Sequence, residues 1–462
     1  MKSQLGVVLG CIVSAGALAT PALATDWTDF TDCLTHTASP YTNNQWNGTT
    51  GTCTLPSGTY PTTSTVLVSS PYVRYVATGS GGTVSTSPLA TIKRDLTLVT
   101  PSTPLFDILQ ATSATHDLVF EYLKLDGNRG GYSNIWAGYP LICGTANWID
   151  LNLTNAGNNG SPSAYHGASA QYMTFVNAPG FAMTLGPWGF AYSNTFQFAR
   201  ISAIYAYPHT LVTTNTIEHS GANGVAIHGD DVLVQYNTFT KNHDEWPYSV
   251  SGGQIYTEIG GSTNFTILGN VLDGGSAQCA GGCSVYINSD NSQSCSVASV
   301  SPALNTSGIE AWSPGGTYTD NYVYAHKGSG LFGGNIDGSG VSAVTGAFSS
   351  TTANQAMTVQ NDKTGTFIHQ NDQDGVLLFY KTVSSPQVQH SFGGKFLFSN
   401  LESTSNTLYG FEWNTSVAPL SGTTLDWGTG GTSAACLTGN GSGPVGAMPT
   451  GFSGPTSTST CP

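Results

Sequence analysis

The sequence predicts an all-β chain wound as a right-handed parallel β-helix, a solenoid of about 22 residues per rung. Three observations carry that prediction. A short polar repeat returns at nearly constant spacing: Ser193-Asn194-Thr195-Phe196, Thr214-Asn215-Thr216-Ile217 and Tyr236-Asn237-Thr238-Phe239, with steps of 21 and 22 residues between the asparagines. Glycine-led apolar segments lie between or beyond these repeats, as in Gly224-Val225-Ala226-Ile227-His228, Gly253-Gln254-Ile255-Tyr256-Thr257 and Gly308-Ile309-Glu310-Ala311-Trp312. Apolar residues alternate in Val232 and Val234, Phe265 and Ile267, and Phe396 and Phe398, which is the period of a strand.

Each element of the repeat has a physical reason. One rung alone exposes its apolar inner face. Stacking rungs about 4.8 Å apart buries that face and satisfies the strand hydrogen bonds. An asparagine at the turn tolerates left-handed backbone, and its amide can bond the same asparagine one rung away. The pattern returns at Asn270 and Asn321 after longer gaps of 33 and 51 residues, to be read as projecting loops or as one whole rung plus a loop.

The expected organisation is a signal peptide over residues 1–24, an N-terminal cap with first strands over 25–104, the parallel β-helix over 105–415 and a Gly/Ser/Thr-rich C-terminal cap or tail over 416–462. Lys2, the apolar run Leu5 to Ala19 and the small-x-small site Ala22-Leu23-Ala24 mark export rather than a membrane anchor, because the run is too short to span a bilayer. Nine cysteines become eight without Cys11, an even number suited to disulfides in an oxidising compartment. Sequence neighbours suggest Cys33 with Cys53, two among Cys279, Cys283 and Cys295, and Cys436 with Cys461, although the sequence alone leaves connectivity open.

Charged residues make up only 8% of the chain, against about 25% in ordinary globular proteins. The net charge is −14, or −15 once Lys2 leaves with the signal peptide. There is no basic patch. Nucleic acid is therefore not an expected partner, since that affinity rests on Lys and Arg neutralising phosphates. Anionic membranes fall away on the same ground, and the expected state is a secreted monomer. No phosphate-binding glycine loop, dinucleotide fingerprint, zinc-protease motif or nucleophile elbow is present, so no cofactor or resident metal is expected.

The Asn-Thr-Ile/Phe turns and Gly-x-x-Ile strands between Asn194 and Phe239, with Leu123-Lys124-Leu125-Asp126-Gly127-Asn128-Arg129, resemble the right-handed β-helix repeat proteins of the pectin-lyase-like superfamily. The resemblance spans about residues 105–415. It implies the fold, and a range of activities that includes polysaccharide lyases, glycoside hydrolases, uronate epimerases, adhesins and phage spikes. The superfamily's hydrolase pattern of Asn-Thr-Asp, paired Asp and Gly-His-Gly is not met: Asp230-Asp231 and His228-Gly229 stand in another order, and Asn-Thr-Asp is absent.

The richest polar stretch runs from His219 to Glu258 and holds His219, His228, Asp230, Asp231, Lys241, His243, Asp244, Glu245 and Glu258. His219 stands four residues after Asn215 and Lys241 four after Asn237, so stacking should set these two side chains about one strand spacing apart. Glycosidic hydrolysis needs two carboxyl groups flanking the bond, with candidates in Asp230, Asp231, Asp244, Glu245 and Glu258. β-Elimination on a uronate needs a base and a neutralising cation, with candidates in His219, Lys241 and His243, and Arg129 or Arg200 as the neutraliser. Arg129, His228 and Trp246 are the candidate substrate contacts. Asp126-Gly127-Asn128 also reads as a plain structural turn.

These residues lead to a secreted enzyme that cleaves a polysaccharide, as glycoside hydrolase or polysaccharide lyase. Net negative charge disfavours a polyuronate unless Ca²⁺ bridges the two. The rival expectation is a non-catalytic extracellular adhesin or surface scaffold.

Overall fold

The computed structural model describes residues 46–47, 52–68, 74–78, 90–95, 107–113, 117–129, 148–156, 167–242, 253–257, 264–275, 284–287, 293–296, 307–311, 316–326, 331–335, 356–360, 368–372, 374–380, 395–415, 422–428 and 435–455. The chain divides into two compact units, one holding Val7–Gly221 with Val285–Ser296, the other holding Ala222–Ser284 and Val297–Pro462. Each winds in the same way. Successive strands go to a first, a second and a third sheet in turn, then return to the first.

In the first unit the first sheet runs from Thr52–Pro56 to Leu211–Thr213, the second from Gly58–Thr62 to Thr216–Glu218, and the third from Val66–Val68 to Ser202–Ala206. In the second unit they run from Leu233–Gln235 to Thr424–Asp426, from Thr238–Thr240 to Ser403–Thr404, and from Asn223–Ile227 to Gly443–Val445. Pairing is parallel, as in Phe190 with Leu211 or Val271 with Tyr322. Trp46–Asn47 is antiparallel to Thr52–Pro56. Each unit is thus a parallel β-helix, with the hand that parallel crossovers take.

Alternation fills the inside. In the first unit Phe120, Ala170, Ala191 and Val212 form one buried column, and Leu125, Phe175, Phe196 and Ile217 another. The rings of Phe175 and Phe196 stack 4.6 Å apart. In the second unit Phe239, Leu272, Val323 and Ile368 repeat that column. Glycine at the head of a third-sheet strand is set by crowding: a Cβ on Gly224 would lie 2.6 Å from the carbonyl oxygen of Gln254 and from the Phe239 ring.

The asparagines form the expected ladder at the corner between the first and second sheets. The Asn194 Nδ2 donates to Asn215 Oδ1 (3.0 Å) and to the Ala170 carbonyl (2.9 Å). In the second unit Asn237 bonds Asn270 Oδ1 and Asn270 bonds Asn321 Oδ1, each through both its backbone N–H and its Nδ2. Direct bonds across 33 and 51 residues show that the long gaps are loops inserted within single rungs. The left-handed residue is not the asparagine but the one before it: Ser193, Thr214, Tyr236, Gly269 and Asp320 all have φ between 51° and 63°. That turn lets the following asparagine point inward. A second ladder, at the corner between the second and third sheets, runs Asn371–Asn406–Asn440.

Asp126-Gly127-Asn128 is a turn: the Asn128 N–H donates to Asp126 Oδ1 (2.9 Å) and Asn128 has φ 52°. Beneath it Arg94 Nη2 donates to Asp150 Oδ1 at 2.8 Å, both side chains fully buried, with the Trp148 ring 5.0 Å from the guanidinium. Cys53 and Cys436 are disulfide-bonded; their expected partners, Cys33 and Cys461, lie outside the described residues, as does the 1–24 segment.

An Asn270→Ala change strips the backbone N–H and Nδ2 of Asn237 of their acceptor and the Val234 carbonyl of a donor. Each stranded buried group costs about 1–3 kcal/mol, so a loss of about 3 kcal/mol or more is expected in urea unfolding. A surface change such as Thr238→Ala should cost a few tenths. Equal midpoints for the two variants would contradict the ladder's role.

Candidate functional site

The second sheet meets the third at a corner, and in the second unit that corner carries a column of polar side chains. The inward residues Phe239, Leu272, Val323 and Ile368 fix the register. The next residue on each strand therefore turns outward: Thr240, Asp273, Tyr324, His369 and Thr404 pair in that order. With strands about 4.8 Å apart, Asp273 to His369 spans about 10 Å.

These side chains touch. The Tyr324 hydroxyl hydrogen-bonds Asp273, and burial, the Asp273 charge and that bond raise the phenol above its usual range. The Tyr324 and His369 rings stack at 5.1 Å, 10° from parallel. Burial lowers the His369 pKa below its ordinary 6.5, against an opposing hydrogen bond that the ring donates to Gln370, so the imidazole is mostly neutral at pH 7. Lys241, next after Thr240, lies at the head of the column. Its N–H donates to the Asp273 carbonyl (2.9 Å), and its aliphatic stem crosses Gly275, where a Cβ would collide with it. Gly275 is left-handed, φ 65°, and its N–H donates to Asp273 Oδ1 at 2.7 Å.

Buried amides hold the corner. Gln254 Oε1 accepts from Asn242 Nδ2 (2.6 Å), and Gln254 Nε2 donates to the Asp273 carbonyl (2.6 Å). Behind Tyr324, His326 is buried with its Nε2 3.2 Å from the Leu272 carbonyl, and its N–H donates to Asn371 Oδ1 at 3.1 Å. His326 thus stands where the second ladder has asparagine in later rungs.

The residues singled out from sequence fall in several places. His219 belongs to the first unit, where it is buried, left-handed and stacked on Phe198 at 5.1 Å. Arg129, in the same unit, follows the Asp126 turn and donates its N–H to the Asn177 carbonyl. In the second unit His228, Asp230 and Asp231 lie on the corner between the third and first sheets, the two aspartates exposed and Asp231 accepting from Asn264 Nδ2 at 2.5 Å. Lys241 sits on a different corner from them. The expected juxtaposition of His219 with Lys241 joins residues of the two units and stands as an expectation. His243, Asp244, Glu245, Trp246 and Glu258 lie outside the described residues.

Asp273, Tyr324 and His369 were not singled out. A signal exists for the first two: each is the third residue after a ladder asparagine, Asn270 or Asn321, the place that points outward at the end of the second sheet. Among the described residues, no group of three or more His, Cys, Asp or Glu is placed to hold a metal ion, and no helix is long and apolar enough to cross a membrane.

The fold and its corner columns define a parallel β-helix protein, the architecture implied by the sequence resemblance. No family model matches the chain, and no curated protein matches it by sequence. Solved structures similar to it include the A-module of the Azotobacter vinelandii mannuronan C-5 epimerase AlgE4, with 12% identity, covering 87% of this chain and 90% of that one, at a TM-score of 0.42. The catalytic unit of a GH87 alpha-1,3-glucanase from Streptomyces thermodiastaticus shows 13% identity over 82% of this chain and 64% of that one, at 0.42. Geobacillus virus E2 ORF18 shows 13% identity over 82% of this chain at 0.37, and the chain spans 53% of that structure's length. The functional reading rests on this chain's own residues.

Burial holds the His326 pKa down to about 4, from an ordinary 6.5. The unfolded chain therefore binds an extra proton between those values. The stability that neutral His326 contributes is complete above pH 6.5 and is lost as pH falls toward 4, by about 3 kcal/mol. In His326→Asn, which restores the ladder residue, denaturation midpoints should fall less across that window. Parallel pH profiles for the two proteins would contradict this.

Proposed function

We propose that the chain is an exported enzyme that cleaves a polysaccharide by β-elimination at a uronate residue. One observation carries the reading: Asp273, Tyr324 and His369 stand in contact on consecutive rungs, with Lys241 at the head of the same corner. Neutral His369 can take the proton α to the uronate carboxyl group. The pair left on that carbon forms the new double bond as the bond to the glycosidic oxygen breaks. Tyr324, still protonated at neutral pH, can give its proton to the departing oxygen, with Asp273 orienting the hydroxyl. The Lys241 ammonium can neutralise the substrate carboxylate and so favour loss of the adjacent proton.

Hydrolysis would call for two carboxyl groups on opposite sides of the bond; the described column carries one, Asp273. The net charge of −14 opposes a polyanion at long range. This reading therefore needs Lys241 locally, or a divalent cation from the medium to screen the approach. Export is supported by the N-terminal apolar segment and the charge-poor composition.

The test is a panel of acidic and neutral polysaccharides, read by reducing ends and by absorbance of the unsaturated uronate. Both signals should rise together on an acidic glycan. His369→Ala and Tyr324→Phe should each lower kcat about a hundredfold or more, and wild-type kcat should fall on the acid side at a pH below 6.5, where His369 takes a proton. Reducing ends without the unsaturated product would replace elimination by hydrolysis. Silence on every glycan would leave the scaffold expectation standing.

A further inference from the structure

A second cluster lies in the first unit, on the third sheet and the corner that follows it. Two successive rungs end in proline-containing turns, Gly186-Pro187-Trp188-Gly189 and Tyr207-Pro208-His209-Thr210. The first is closed by the Gly189 N–H donating to the Gly186 carbonyl (3.0 Å), and the Trp188 N–H reaches the Pro208 carbonyl (3.4 Å). The residue after each proline is left-handed: Trp188 has φ 63° and His209 φ 60°. Glycine or asparagine is the favoured residue there, and a bulky side chain costs about 1–3 kcal/mol of strain. The chain nevertheless keeps an aromatic ring at both positions and stacks them at 4.3 Å, 13° from parallel.

The strip continues onto the strands. Tyr205 lies 5.3 Å from Tyr207 and 5.5 Å from Phe181, both in edge-on contact. All five rings are partly exposed. Residues 181–189 and 201–210 contain no Asp, Glu, Lys or Arg.

We propose that this aromatic strip of Phe181, Trp188, Tyr205, Tyr207 and His209 binds a neutral glycan. Apolar faces of pyranose rings bury well against aromatic rings, and tyrosine hydroxyls and the imidazole can hydrogen-bond sugar hydroxyls at the rim. A charged ligand would find no ionic partner within these segments. Strain kept at two successive corners fits rings selected for what they touch rather than for the turn they make. The site is independent of the elimination reading, and its test reads binding rather than turnover.

The test is native electrophoresis of the full chain in gels containing hydroxyethyl cellulose, a soluble β-1,3-glucan or polygalacturonate, against a gel with no glycan. Wild type should be retarded by at least one neutral glycan, with retardation unchanged by added salt. Trp188→Gly removes a ring and gives the turn its favoured residue. Tyr205→Thr copies the preceding rung, where Thr184 pairs with Tyr205. Each should weaken binding about tenfold with a thermal midpoint no lower than a few degrees below wild type. Absence of retardation, equal retardation of both variants, or retardation by polygalacturonate alone would overturn the proposal.

Discussion

Where the ladders run, from Asn194 to Asn215, from Asn237 through Asn270 to Asn321 and from Asn371 through Asn406 to Asn440, each rung hangs on the one beside it through inward asparagine amides. A parallel strand of three residues, such as Thr216–Glu218, has too few hydrogen bonds to hold its own register. The asparagine supplies the missing constraint. Its Oδ1 takes two donors from the preceding rung and its Nδ2 returns to a carbonyl there, as Asn270 does with Asn237 and Val234. A slip by one residue would break three bonds at once and turn every apolar side chain outward. The buried amides therefore set register as well as adding stability, and the columns of outward residues exist because that register is fixed.

This explains what could be read from sequence. The rungs at Asn194, Asn215 and Asn237 are short and nearly evenly spaced, so the repeat is visible by inspection. Asp273, Tyr324 and His369 are neighbours for the same reason, yet the insertions between their rungs separate them by as much as the ladder residues Asn270 and Asn321, 51 apart, and His326 and Asn371, 45 apart. No window of local composition brings them together. The stretch from His219 to Glu258 drew attention because its charges are close in the chain, but two dozen residues make a whole turn of the coil. Asp230 and Lys241 accordingly fall on different corners. In a solenoid, sequence proximity is a poor guide to a site, and distance from the nearest ladder asparagine is a better one.

The same logic places the one fully buried ion pair of the described residues. Arg94 ends a second-sheet strand and Asp150 begins a third-sheet strand, so both point into the corner beneath Asp126-Gly127-Asn128. Burial raises the Asp150 pKa to about 7 even with the guanidinium beside it. Desolvation therefore outweighs the attraction at this carboxyl group, and the pair is no source of net stability. What it does contribute is exclusion. A Cβ at residue 127 would sit 2.7 Å from Asp150 Oδ2 and 2.6 Å from the Asn177 carbonyl, so the Asp-Gly-Asn turn seen in the sequence has its glycine for packing reasons, apart from any contact by Arg129.

Corners differ in what they ask of their residues. Between the first and second sheets, the left-handed position holds small or polar residues at Ser193, Thr214 and Gly269, and tyrosine at Tyr122, Tyr172 and Tyr236. Whether the inward residue beside it is asparagine, as after Ser193, Thr214, Tyr236 and Gly269, or apolar, as Leu123 and Met173 are after Tyr122 and Tyr172, the left-handed position is free to vary and its side chain faces outward. Tyr122 and Tyr172 use the freedom to stack at 5.0 Å. At the corner after the third sheet no asparagine ladder is needed in the rungs of Trp188 and His209, because proline already fixes half of each turn. With the backbone held by the ring of the preceding residue, the strained position can carry an aromatic that does nothing for the turn. A scaffold whose corners are fixed from within can thus display side chains outward at the cost of local strain alone, and chemistry can accumulate in columns without disturbing the core.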